Sequence, residues 1–133
     1  MPPPAAHPAR SRDGGAAVVD FVLVTAVVVP LVLGVIQLGI VLHVRNTLTA
    51  AASEGARLAA TADHGPADGA ARTRETVSEA LDARYADNVT AGAATVAGAP
   101  GVVVRVEARV PALGLLGPSL PVSAEGHAVE EPR

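Results

Sequence analysis

Between Phe21 and Leu42 lie 22 residues with no charged side chain, and only Thr25 and Gln37 among them are polar. About 20 apolar residues suffice to cross the hydrocarbon core of a bilayer as an α-helix. Val, Leu and Ile surround the whole predicted helix and leave no polar stripe, as a lipid-facing segment requires. Pro30 stands in the middle, where a water-exposed helix would break but a membrane helix tolerates it. Gly34 and Gly39 are small positions at which another helix could approach closely, although their spacing does not make a GxxxG pair.

Past the run, the segment from Val44 to Ala62 stays compatible with a helix, being rich in Ala, Leu and Arg. Leu48, Ala51, Ala52, Gly55, Ala59 and Ala62 line one side of it. The pattern predicts one helix from about residue 17 to about 62, roughly 70 Å long. On that helix Glu54 and Arg57 are three apart and can pair on one face. Glu54, Gly55 and Arg57 are also candidates for a helix-packing or partner contact. His64-Gly65-Pro66 predicts a break. A second helix is expected from about Ala67 to Ala86, with Val77, Leu81 and Tyr85 as its apolar stripe. Asp87 to Gly101, rich in Ala, Gly and Asn, reads as a loop. From Val102 to Val110 apolar and polar positions alternate, which predicts a half-buried strand. After a Gly- and Pro-rich turn, alternation resumes from Leu120 to Ala128 and predicts a second, antiparallel strand. Leu113, Leu115 and Leu116 in the connection either contact a partner or fold back on the domain. The expected fold is α+β: a long N-terminal transmembrane helix, a small extracytoplasmic helix and a C-terminal β-hairpin. The predicted organisation is a leader at 1–15, a transmembrane helix at 16–44, its extension at 45–62 and a small α+β region at 63–133.

Composition narrows the function. Half of the 133 residues are apolar, yet the chain has one Phe, one Tyr and no Trp. A soluble domain of this size ordinarily fills its core with several aromatics. The net charge of -3 gives no basic face for nucleic acid. With no Cys, disulfides and thiol chemistry are excluded. His7, His43, His64 and His127 have no metal-ligand spacing, and no phosphate loop, serine elbow or dinucleotide fingerprint is present. No catalytic, cofactor-binding or metal-binding residue is therefore expected, nor a small-molecule substrate.

The remaining candidate chemistry lies before the apolar run. Met1 to Gly15 is a polar, Pro-rich leader with Arg10, Arg12 and Asp13, a composition that cannot form a core. After Gly14-Gly15 come Ala16-Ala17-Val18-Val19-Asp20-Phe21. A carboxylate at the mouth of an apolar helix is costly to desolvate and needs a partner. In one reading Asp20 simply favours the helix start through its free N–H groups and dipole, with Gly15 as a joint. In the other the stretch is a processing site.

The second reading rests on a resemblance. Basic leader, Gly, small residue, acid at the fifth position of the mature chain and then an apolar helix resemble the type IV prepilin junction. Adding Pro30, Val44-Arg45-Asn46 and Ala51-Ala52-Ser53-Glu54-Gly55-Ala56-Arg57, the chain over residues 12–60 resembles the TadE-like family, minor pseudopilins of the tight-adherence pilus system. The resemblance implies cleavage between Gly15 and Ala16 by a prepilin peptidase. It also implies pairing of Asp20 with the terminal amine of a neighbouring pilin or pseudopilin subunit. Asp20 stands where Glu is usual in the family, a carboxylate one methylene shorter. The expected partners are thus the bilayer, the peptidase and other subunits.

Arg10 and Arg12 before the run balance Arg45 and Arg57 after it, so the positive-inside rule gives a tie. The short N-terminal arm favours a cytoplasmic N-terminus and an extracytoplasmic head, with the chain in the cytoplasmic membrane or in an extracellular pilus. Two alternatives share the apolar run: a retained envelope anchor with no filament role, and a secreted protein whose signal peptide is cut near Ala50–Ala52.

Overall fold

A computed structural model of the chain describes residues 1–2, 13–113 and 118–130. It divides into two units, Met1–Val35 and Ile36–Arg133. The first helix, α1 (Asp13–Ala59), contributes to both.

In the first unit α1 carries Pro30 in its interior and exposes its large apolar side chains on all sides, from Val18, Val19 and Phe21 through Leu31 and Val35. Among the described residues of this unit nothing covers them, which is what an element solvated by lipid tails requires. Gly14 and Gly15 lie inside the helix rather than at a joint before it, and Asp20 stands a full turn beyond them. Asp20 is therefore too far in to cap the helix start.

The second unit holds the folded head. The C-terminal part of α1 is followed by α2 (Pro66–Ala80), a single 3-10 turn (Ala83–Ala86) and three strands: β1 (Asn88–Val96), β2 (Ala99–Val110) and β3 (Leu120–Val129). The strands form an antiparallel meander in the order β1-β2-β3. The α+β class stands, but with a three-stranded sheet in place of the expected hairpin.

The extra strand is β1, cut from the segment expected to be a loop. Its composition, Asn-Val-Thr-Ala-Gly-Ala-Ala-Thr-Val, has little β-propensity. What makes it a strand is unbroken pairing with β2, from Asn88↔Glu107 to Val96↔Ala99. The link is the two-residue turn Ala97-Gly98, both residues at positive φ (50° and 84°), as a primed hairpin turn requires.

The second helix ends six residues before the expected Ala86. Pro66 opens it, and the Gly65 N–H donates to Asp68 Oδ2 at 2.9 Å. At the other end Asp82 turns extended and its carboxylate accepts the Arg84 N–H at 3.0 Å. A short acidic side chain that bonds the backbone locally competes with helix continuation. Of the expected stripe, Val77 is buried on α2, Leu81 is half-buried just past its end and Tyr85 is buried on the 3-10 turn.

The core lies between one face of the sheet and the two helices. Val102, Val104, Val106, Ala108 and Val110 of β2 all point into it, as their alternation predicts. From α1 it receives Val44, Leu48, Ala51, Ala52, Ala56 and Ala59; of the side anticipated from the sequence Ala62 drops out, because α1 ends at Ala59 and Ala62 lies exposed in the turn beyond it. From Ala51 to Ala59 that side is Ala and Gly, so the neighbouring elements approach the α1 backbone closely.

Candidate membrane and subunit interface

The Gly15–Ala16 peptide bond lies within α1, two residues past Asp13 where the described part of the helix begins. Asp20 lies four residues beyond Ala16, on the same helix face, and is exposed. Cleavage at the junction would create a charged amine one turn from that carboxylate.

Gly34 and Gly39 are both exposed, and a β-carbon built on either would meet no atom within 4 Å. Gly34 belongs to the first unit and Gly39 to the second, and each leaves its patch of helix surface open.

The Glu54–Arg57 region is used differently from the expectation. Glu54 pairs with Arg72 of α2, whose Nη2 and Nε lie 2.7 and 2.9 Å from Glu54 Oε1. Arg72 also reaches Glu75 at 2.8 Å. These two carboxylates raise the Arg72 pKa above its ordinary value, hydrogen bonding to Glu54 contributing most. Arg57 stays exposed in the last turn of α1, where a cation suits the helix dipole.

Gly55 is the point at which α2 crosses α1. A β-carbon there would stand 2.5 Å from the Gly69 carbonyl oxygen and would strike Thr73 Oγ1. Gly69 is its counterpart, 2.6 Å from the Gly55 carbonyl oxygen by the same measure. Thr73 is fully buried, and its hydroxyl donates to Gly69 O at 2.8 Å with Ala51 O at 3.3 Å. Gly126 of β3 plays the same part against α1, since a β-carbon there would collide with the Ala52–Ser53 backbone.

Four of these positions are not marked by the sequence pattern as used above. The stripe Val77–Leu81–Tyr85 extends backwards in steps of four to Thr73 and Gly69, a signal that would have found both. Gly126 is an apolar-face position in the β3 alternation, and nothing local marks it as a contact. Gln37 is the fourth. Its Nε2 donates to the Pro111 carbonyl at 3.2 Å, and its Oε1 accepts the Leu113 N–H at 2.6 Å. Its isolation within an apolar run was the available signal. Leu113 is exposed, while Leu115 and Leu116 lie outside the described residues.

Among the described residues no three His, Asp or Glu side chains gather as a metal site would need. What the residues do define is a protein with one helix long and apolar enough to cross a membrane, whose C-terminal half forms part of the core of an α+β head. The family model of TadE-like proteins matches residues 15–57, and this segment of the chain is TadE-like. The match starts at Gly15, the residue before the candidate junction, and ends at Arg57, in the last turn of α1. No curated protein matches the chain, and neither does any solved structure. A TadE-like segment on a membrane-competent helix fits a pilus-associated, single-pass membrane protein.

Proposed function

We propose that the chain is a minor pseudopilin that takes part in building a tight-adherence pilus after prepilin-type cleavage between Gly15 and Ala16. The observation that carries this reading is the coincidence of the TadE-like match with α1, a helix that contains the candidate junction, exposes its apolar run and ends inside the head. The N-terminus faces the cytoplasm and the head lies outside. A prepilin peptidase removes the leader. In the low dielectric of the assembling bundle, the new amine at Ala16 of one subunit compensates Asp20 of its neighbour. Partner helices seat against the open patches at Gly34 and Gly39. No reaction is catalysed; the work is binding and register.

The signal-peptide alternative is disfavoured by the core. Cutting near Ala52 would remove Val44, Leu48 and Ala51, three buried side chains of the head's core. The plain-anchor alternative is tested by Asp20→Ala in cells that carry the pilus machinery. The pseudopilin reading expects cleavage to continue while the subunit disappears from sheared filaments. Unchanged incorporation of Asp20→Ala would overturn it.

A further inference from the structure

Gln37 points to a second membrane contact, made by the head itself. The charge-free run ends at Leu42, five residues past Gln37, or about 8 Å further along the helix axis. The whole run of 22 residues is about 33 Å long, close to the thickness of a bilayer's hydrocarbon core. Gln37 therefore lies inside the apolar zone, near its edge. The head already reaches this level. Val41 is partly buried against the core, and Gln37 holds the β2–β3 connection by hydrogen bonds at Pro111 and Leu113.

That connection suits the depth. From Val110 to Ala124 the sequence has no charged side chain. At Leu113 the apolar side chain is 42% exposed. Irregular backbone in a water-poor zone is costly unless its N–H and C=O groups find partners. Gln37 supplies one acceptor and one donor, to the Leu113 N–H and the Pro111 carbonyl. The converse also holds, because a lone carboxamide in an apolar run needs partners of its own. One contact thus partners the Gln37 carboxamide with the Pro111 carbonyl and the Leu113 N–H, while the Leu113 side chain is exposed.

We propose that Pro111–Leu113 is a lipid-seated edge of the head, held at the bilayer interface by Gln37. The occupant of the exposed apolar surface at Leu113 is the acyl-chain boundary of the same membrane that α1 spans. The proposal rests on the membrane-spanning part of the reading above and not on cleavage or filament assembly. Its consequence is that the head is tethered at two points, which fixes its rotation about α1 before it meets a partner.

The chain has no Trp, so a single introduced Trp reports its own surroundings. The full chain carrying Leu113→Trp is reconstituted into phosphatidylcholine vesicles, some with acyl chains brominated near the headgroup. Blue-shifted emission, quenched by the bromines and protected from acrylamide, is expected. Thr95→Trp is the control, because Thr95 is exposed at the opposite end of the β2 pairing, and it should emit as in water. Adding Gln37→Leu to Leu113→Trp keeps the run apolar but removes the clamp, and should weaken the bromine quenching. If the clamp variant leaves quenching unchanged, Gln37 does not position the edge and that half of the proposal falls. Acrylamide-quenched, bromine-insensitive emission at position 113 in a chain that still floats with the vesicles overturns the lipid contact. Blue-shifted, bromine-insensitive emission that reverts when the protein is diluted in the bilayer assigns the surface to a second copy, and also overturns it. A chain that fails to float with the vesicles sinks the spanning helix itself, and this proposal with it.

Discussion

Replacing Gly55 by Ala adds one methyl group where α1 and α2 cross. It would stand 2.5 Å from the Gly69 carbonyl oxygen, with Thr73 Oγ1 also in the way. An ordinary carbon–oxygen contact needs about 3.3–3.6 Å, so the helices must part by about 1 Å. A gap of that size forfeits about a quarter to a half of each dispersion contact along the crossing. Thr73 cannot simply swing aside, because it is fully buried and its hydroxyl is bonded to Gly69. Overpacking costs about 1–3 kcal/mol, and an obstacle made of backbone belongs near the upper end. The gain in helix propensity from Gly to Ala returns about 1 kcal/mol. The expected net loss is about 2 kcal/mol, a fall in melting temperature of about 8–16 °C for a head of this size. Tyr85 is the lone Tyr, is buried, and is accompanied by no Trp, so its fluorescence in detergent micelles follows unfolding of the head. Gly39→Ala is the matched control, since its methyl meets nothing within 4 Å and only the propensity gain applies, so the transition should not fall. A Gly55→Ala head that melts at or above the parent temperature would refute the close-crossing account.

The same assay checks further expectations. Gly126→Ala should be at least as damaging, because the methyl collides with the Ala52–Ser53 backbone of α1. Leu48→Ala should cost about 2–5 kcal/mol, the range for emptying a fully buried site. Leu38→Ala, on an exposed part of α1, should leave head stability unchanged. Ala97→Gly should raise the melting temperature, since Ala at φ 50° in the hairpin turn carries a penalty of about 1–2 kcal/mol that Gly avoids. Glu54→Gln should leave it within the scatter of the measurement, because the pair with Arg72 is largely exposed.

The elements that sequence pattern reached are those whose signal is local. The charge-free run from Phe21, the Ala-rich side of α1 and the alternation in β2 and β3 each declare a periodicity, and each was found. β1 declares none. Its small residues become a strand only because β2 offers a ladder, which is a tertiary fact. The end of α2 was missed for a related reason, since Asp82 stops the helix through one local hydrogen bond that the stripe through Tyr85 conceals. For the candidate interface, Gly15, Ala16 and Asp20 rest on residue order and remain a proposal. Gly55 stood out as a place of close approach, but its neighbour proved to be Gly69 of the same chain. Glu54 likewise pairs across to α2 rather than along α1. One-dimensional spacing marks a small residue and leaves open what comes close to it.

The most direct test of the account is the N-terminal sequence and intact mass of the membrane-extracted protein, taken with and without an active prepilin peptidase. A mature chain that starts at Ala16 only when the peptidase is active is the predicted result. A start at Met1 in its presence, or a start near Ala52, would contradict the account.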